Sequence, residues 1–416
     1  MDASPFTFYN IIQENKWITS FVLRKKVRMS FHTKIICASL CLLLVGCQPQ
    51  APTSSHSTSI TESPLIENTP EPSTKDLSTS PEISPEVSTP LPPILKLESQ
   101  EILQAPNFEA HSPAALHGAL HVEGTYILDQ NDEIFQLRGL STHGIQWYGQ
   151  YLNPTFLKSL RDDFHINVIR LALYADYNGA YLENQEAYTK ILEDALQDAS
   201  NLGLYVIIDW HILEEGNPLI HKDDAKTFFN YFSKKYQNYS NVIFELCNEP
   251  NGNTVNWDDH IRPYAEEILT TLRTYAPNHL VIVGTPRWCQ SPLSVVKNKL
   301  NDPNVLYAFH FYANSHGTVL REQLNTALTT HQLPIIVSEF GTCDATGSGT
   351  VNTEQTDKWL DFLDAHHVSW INWSLCDKDE ASAFLLPNTP SHLPLTDDYL
   401  TESALYIKSR LLSYLE

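Results

Sequence analysis

The fold is decided by Val168-Ile169-Arg170-Leu171-Ala172-Leu173-Tyr174 and, after an amphipathic stretch, Tyr205-Val206-Ile207-Ile208-Asp209-Trp210-His211. Each run is apolar, β-branched or aromatic almost throughout, the pattern of a parallel strand buried on both faces. Between them Tyr188, Ile191, Leu192, Ala195, Leu196 and Ala199 recur at helical spacing, so the pair predicts a strand–helix–strand unit. Similar runs lie at Ile134–Leu140, Val242–Cys247, Leu280–Gly284, Val305–Tyr312, Pro334–Phe340 and Ser369–Leu375. Helical patterns fill the gaps: Phe156, Leu157, Leu160 and Phe164 behind an Asn153-Pro154 cap, then Phe228, Phe229, Phe232 and Tyr236, then Ile261, Ala265, Ile268, Leu269 and Leu272. Eight such strands alternating with helices over about 300 residues predict an α/β fold of the TIM (β/α)8 barrel type. A doubly wound open sheet would favour a Gly-rich first turn, and no GxGxxG is present. Ahead of the barrel, His121–Leu137 reads as a short N-terminal β-hairpin, with strands around Tyr126 and Phe135 and a turn at Asp129-Gln130-Asn131-Asp132.

The first 105 residues have another character. From Met29 a short basic region with His32 and Lys34 precedes an apolar run from Ile35 to Val45, too short to cross a membrane as a helix and of signal-peptide form. Residues 1–28 either precede the true start at Met29 or extend the basic region through Arg24, Lys25, Lys26 and Arg28. Leu44-Val45-Gly46-Cys47 resembles a bacterial lipobox, which implies cleavage before Cys47, lipidation of its thiol and display at the cell envelope on a membrane anchor. The alternative is free secretion behind an ordinary signal peptide. Residues 48–105 are rich in Pro, Ser, Thr and Glu; such a stretch buries too little apolar area to offset its chain entropy and is expected to be a disordered tether. Its reach is roughly 45 Å as a coil and up to about 180 Å in extended polyproline II. The sequence is therefore expected to divide into an upstream segment and signal peptide (1–47), a linker (48–105) and a folded barrel (106–416), with no separate binding module expected after it.

Composition narrows the partners. The formal charge is −22, which repels a phosphate backbone and argues against nucleic acid. A neutral polymer raises no such conflict, and 8 Trp with 19 Tyr suit stacking on flat ligands. Of seven Cys, three lie before residue 48; Cys247, Cys289, Cys343 and Cys376 show no paired CxxC spacing, so no structural metal is expected. Cys343 and Cys376 follow neighbouring strands and are candidates for a disulfide after export.

In a (β/α)8 barrel the working side chains project from the C-terminal ends of the strands. There the sequence places Arg170, Asp209-Trp210-His211, Asn248-Glu249-Pro250, His310-Phe311-Tyr312, Glu339-Phe340-Gly341, Trp373, Asp377 and Lys378. Two acids, Glu249 and Glu339, thus face one mouth from the fourth and seventh strands. Glycosidic bond cleavage needs one carboxyl group to protonate the departing oxygen and a second carboxylate across the ring.

Together with Arg138-Gly139-Leu140, His143 and Trp147, these motifs resemble glycoside hydrolase family 5, most nearly its bacterial endo-β-1,4-glucanase (cellulase) branch, from about residue 108 to 405. The resemblance implies a retaining enzyme without cofactor or metal, acting as a monomer on a β-glucan. It implies Glu249 as acid/base and Glu339 as nucleophile, Asn248 on the sugar 2-hydroxyl, and Tyr312 and His310 holding the nucleophile. It further implies Arg170 orienting that carboxylate, His211 on the sugar of the cleaved bond and Trp373 as its floor. His143, Trp147, Tyr174 and Lys378 would line the nonreducing-side sites, and Trp288 would stack a sugar beyond the scissile bond. Asp209 reads as a supporting or core acid. The stretch Leu386–His392 departs from the Gly-rich turn frequent in that branch. The same machinery could act on mannan, xyloglucan or mixed-linkage glucan, and a glycan-binding protein without turnover is the reading of another class; a binding module has no need of either acid.

Overall fold

The computed structural model describes residues 101–415. Cys47, the signal-like segment and most of the linker lie outside them. By residue 103 the chain is already fixed to the barrel: Leu103 N–H donates to Lys235 O at 3.0 Å, and Asn238 Nδ2 donates to Leu103 O at 2.9 Å.

Eight parallel strands close the barrel: β3 (Arg138–Thr142), β4 (Val168–Tyr174), β5 (Tyr205–His211), β6 (Val242–Glu245), β7 (Val281–Val283), β8 (Val305–Tyr312), β9 (Ile335–Gly341) and β10 (Trp370–Leu375), with β10 pairing back onto β3. The longer helices pack outside: α1 (Pro154–Phe164), α2 (Gln185–Asn201), α3 (Lys222–Lys235), α4 (Arg262–Leu272), α5 (Thr318–Thr329), α6 (Thr353–Ala365) and α7 (Glu402–Leu412). Asn153 caps α1 as its sequence suggests, accepting from Phe156 N–H at 3.1 Å with Pro154 in the first turn. Two sequence boundaries move. The first barrel strand begins at Arg138 rather than Ile134. The antiparallel pair ahead of it is β1 (His121–Glu123) with β2 (Tyr126–Leu128), turning at Gly124 in the left-handed region (φ 63°). The Asp129–Asp132 turn follows it, closed by a Leu128–Ile134 bridge; Asp129 Oδ1 accepts from Asn131 and Glu133 N–H there, which is why the polar run reads as the main turn.

Strand alternation sorts the side chains. On β4, Ile169, Leu171 and Leu173 face the helices, while Val168, Arg170, Ala172 and Tyr174 face the barrel axis; on β5, Val206, Ile208 and Trp210 face out and Tyr205, Ile207, Asp209 and His211 face in. The interior is therefore layered. An apolar plug of Val168, Tyr205, Ile207, Ile243, Leu306, Ile336 and Ile371 fills the N-terminal half, and Ile127 and Phe135 of the N-terminal segment continue it. Above it lies a layer of buried charge around Arg170, and above that the aromatic mouth.

One strand breaks the alternation where it matters. Ala308 pairs with Ile336 but His310 pairs with Glu339, so β9 carries an extra residue opposite β8. The bulge lets consecutive Ser338 and Glu339 both reach the interior, with hydrogen bonds to His310 and Tyr312 of β8. Gly341 is needed beside it, because a Cβ there would lie 2.2 Å from the Tyr312 ring. The disulfide expected as a candidate between Cys343 and Cys376 is not formed: all four cysteines among the described residues are buried free thiols.

Candidate active site

The site is organised around one cation. Arg170, fully buried, pairs with Glu245 at 2.6 Å, Asp209 at 3.0 Å and Glu339 at 3.3 Å, and donates to Ser141 Oγ at 3.1 Å and Asn248 Oδ1 at 2.7 Å. A guanidinium with five N–H donors in a fixed fork can hold several carboxylates at once where a lysine could not. Arg170 thus contacts Glu339 and also pairs with two further acids, Asp209, which reads from the sequence as a supporting or core acid, and Glu245, which the sequence reading did not single out.

Glu339 and Glu249 differ in their partners. Glu339 accepts from Tyr312 Oη–H at 2.9 Å through one oxygen and from Arg170 through the other, two donors that favour the carboxylate. Glu249 Oε1 lies 2.9 Å from His310 Nδ1. His310 is where geometry and expectation part: its hydrogen bonds run to Glu249 and Ser338 Oγ rather than to the nucleophile candidate. Burial is the first cause pushing both glutamates up, the charge of Glu249 adding to it at Glu339. Arg170 opposes the rise at both; at Glu339 the Tyr312 hydroxyl opposes it too. Oxygens of the two carboxyl groups lie within 4.8 Å of each other, with a His310 nitrogen in the same cluster. So close a pair disfavours two charges at once, and the two donors on Glu339 favour the carboxylate form there. Glu249, His310 and Glu339 also have the residue types of a metal site; each Glu339 oxygen there accepts one hydrogen bond, from Tyr312 or Arg170, and both His310 nitrogens are in contact with protein groups.

Aromatic rings build the mouth. His211 stacks on Trp373 (centroids 5.4 Å, 18°) and His143 on Tyr174 (5.9 Å, 8°). Asp209 lies 2.7 Å from His211 Nδ1, and Asn248 Nδ2 lies 3.2 Å from its Nε2. Since Asn248 Oδ1 faces Arg170, its Nδ2 must donate, which makes Nε2 the acceptor and places the His211 proton on Nδ1. Gly144 N–H donates to His143 Nδ1 at 2.7 Å, and burial lowers this imidazole to about 3, so it is neutral at pH 7. Trp288 is 48% exposed, and it follows Arg287 and precedes Cys289 in three consecutive left-handed residues (φ 61°, 54°, 58°). Cys289 Sγ–H donates to Asn248 O at 2.9 Å, tying this turn to the Asn248-Glu249 segment.

A cleft of about 460 Å³ runs over these groups, lined by His143, Tyr174, His211, Asn248, Glu249, Trp288, His310, Tyr312, Glu339, Trp373 and Lys378. Trp147 stands behind it, packed edge-on against Tyr174 and Tyr177 (centroids 5.0 and 5.8 Å); Arg170 lies beneath it. Sequence reasoning missed Gln290, His316 and Glu380 among the lining residues. Glu380 pairs with Lys378 at 2.6 Å, and His316 Nδ1 accepts from Tyr312 N–H at 2.8 Å. These sit in loops, where no periodicity marks which side chain turns inward. Glu245 did have a signal: an acid inside the apolar run Val242–Cys247 is as conspicuous as Arg170 in its own.

Residues 128–379 match the profile of Cellulase (glycosyl hydrolase family 5). The chain is similar to Endoglucanase A of Evansella cellulosilytica, 47% identical over 276 residues that cover 66% of this chain and 56% of that protein. Endoglucanase N of Pectobacterium atrosepticum is 44% identical over 300 residues, 72% of this chain and 67% of that one. The chain thus spans between about half and two thirds of the length of these relatives. Among solved structures, the catalytic domain of a Thermobifida fusca endoglucanase variant in complex with cellotetraose superposes with TM-score 0.69 at 34% identity, covering 72% of this chain and 99% of that one.

Proposed function

The chain belongs to glycosyl hydrolase family 5, and on that footing we propose that it cleaves internal β-1,4-glucosidic bonds of cellulose or a related β-glucan with retention of configuration. The observation that carries the reading is the pair Glu249 and Glu339, with oxygens within 4.8 Å of each other in a cleft walled by aromatic rings. Retaining sites hold their carboxyl groups about 5–5.5 Å apart, inverting ones roughly 6.5–9.5 Å. The relatives' endoglucanase names and the cellotetraose in the neighbouring structure support the substrate class.

In this account the Glu339 carboxylate, held by Tyr312 and Arg170, attacks the anomeric carbon. Glu249 gives its proton to the departing glycosidic oxygen, which keeps the bonding electron pair. Water then attacks the glycosyl-enzyme, its proton passing to Glu249 and the ester electron pair returning to Glu339. Trp373, stacked on His211, floors the sugar at the cleaved bond. Trp288 offers an exposed face beyond it, and His143, Tyr174 and Lys378 line the other end. A panel of soluble β-1,4-glucan, mixed-linkage glucan, xyloglucan and β-1,4-mannan tests the substrate. The fastest release of new chain ends, with an early fall in viscosity, is expected on the β-1,4-glucan. Faster cleavage of mannan overturns the substrate assignment, and no turnover on any of them returns the cleft to a glycan-binding role.

The lipobox-like Leu44–Cys47 supports a further proposal, that the domain is displayed from a membrane anchor. A full chain that sediments with membranes, and loses that behaviour as Cys47→Ser, is the expected outcome; wild-type protein wholly in the soluble fraction is the contrary one.

A further inference from the structure

Behind Glu249 runs a chain of contacts that leaves the cleft. His310 Nδ1 lies 2.9 Å from Glu249 Oε1, and His310 Nε2 lies 3.0 Å from Ser338 Oγ. Ser338 Oγ donates to Glu245 Oε1 at 2.7 Å, and Glu245 Oε2 accepts from Arg170 Nε–H at 2.6 Å. Ser338 and Glu245 are wholly buried and neither lines the cleft. We propose that Glu245 and Ser338 are positioning residues that set the tautomer of His310 and thereby keep the catalytic proton on Glu249; this rests on the reading of Glu249 as the acid.

The available protons determine the tautomer. Both oxygens of Glu245 are acceptors, Oε2 from Arg170 Nε–H at 2.6 Å and Oε1 from Ser338 Oγ–H at 2.7 Å. Ser338 has a single hydroxyl proton, and Glu245 takes it, so toward His310 the serine oxygen presents a lone pair. The proton between His310 Nε2 and Ser338 therefore belongs to Nε2. A neutral imidazole carries one N–H, so Nδ1 faces Glu249 as a bare lone pair. Two acceptors 2.9 Å apart would repel; the contact is a hydrogen bond only if Glu249 Oε1 carries the proton. The groups around His310 are Arg170 on β4, Glu245 and Glu249 on or just after β6, and Glu339 on β9. Burial, first among the causes, lowers the imidazole to about 4, which keeps it neutral at working pH. Once Glu249 has given its proton to the leaving oxygen, its carboxylate meets the Nδ1 lone pair. That contact makes it a stronger base toward the incoming water, so one arrangement serves both half-reactions. The β9 bulge is what lets Ser338 and Glu339 both turn inward.

Two measurements test this. In protein labelled with ¹⁵N at histidine, His310 in the wild type is expected as the Nε2–H tautomer at neutral pH, whether or not any polysaccharide is cleaved. In Ser338→Ala the Nε2–H loses its acceptor, so the ring turns over to Nδ1–H. It then donates to Glu249 and favours the carboxylate there. The alkaline limb of kcat/KM on a cello-oligosaccharide should move to lower pH by about one unit, with roughly tenfold less activity at pH 8. The acid limb, set by Glu339, should stay, and Ser338→Thr should restore the alkaline limb. A structural role alone would lower kcat at every pH without moving either limb. An Nδ1–H tautomer in the wild type, or an alkaline limb that stays or moves upward in folded Ser338→Ala, overturns the proposal. A failed substrate panel with the Nε2–H tautomer intact would instead strike only the functional reading.

Discussion

Glu339→Ala is expected to abolish turnover on every substrate, by roughly 10⁶-fold as for other lost nucleophiles, because no covalent intermediate can form. Glu249→Ala should behave differently. Loss of a general acid costs about 10²–10⁴-fold on a polysaccharide, whose sugar leaving group needs the proton. On an aryl glycoside with a very good leaving group, glycosylation needs little protonation and should survive. The asymmetry follows from the partners: Glu339 sits between two donors, Tyr312 and Arg170, and Glu249 against His310. Steady-state rates of both folded variants on both substrates check it. If Glu249→Ala is as inactive on the aryl glycoside as on the polymer, the division of roles is wrong.

Arg170→Met should destabilise the fold by about 3–5 kcal/mol, the cost of breaking a buried ion pair by removing one partner. The side chain itself would pack well enough. What it leaves behind is Asp209, Glu245 and Glu339, three buried acids without their common cation. The pH dependence gives the mechanism away. Burial already raises the folded-state pKa of each of the three, Asp209 to about 7, and Arg170 opposes the rise at all three. Without it the folded state must bind protons that the unfolded chain releases, so the deficit should be largest at pH 8 and shrink as pH falls through the raised folded-state values. Urea midpoints of both proteins at pH 8 and pH 5 measure this. A deficit that is equal at the two pH values would assign the loss to packing instead.

How far the sequence carries depends on periodicity. The barrel was legible because strands buried on both faces read as apolar runs, and the charged or polar residues that interrupt or end them had to be doing something other than packing. Arg170, His211, Asn248, Glu249, His310, Tyr312, Glu339 and Trp373 were found that way, and all but Arg170 line the cleft. Four things were not legible. The bulge on β9 is invisible in a run where alternation would send Ser338 and Glu339 to opposite faces. The partner of His310 is Glu249, which follows β6, two strands away in the barrel, and spacing within one strand does not encode that reach, so the imidazole was placed with Glu339 rather than Glu249. Trp147 has the composition of a lining residue, yet the short helix Ile145–Tyr148 turns it against Tyr174 and Tyr177. The thiols of Cys343 and Cys376 follow neighbouring strands, but proximity of strands does not bring two loops into disulfide geometry.

The central claim is that Glu249 and Glu339 work as a retaining pair on a β-linked glucan. Its most direct test is the anomeric proton spectrum of the first product released from a cello-oligosaccharide, recorded before mutarotation. Two displacements at the same carbon predict that the β-anomer appears first and the α-anomer grows in later. An initial α-anomer would mean a single displacement by water, and would contradict Glu339 as the nucleophile.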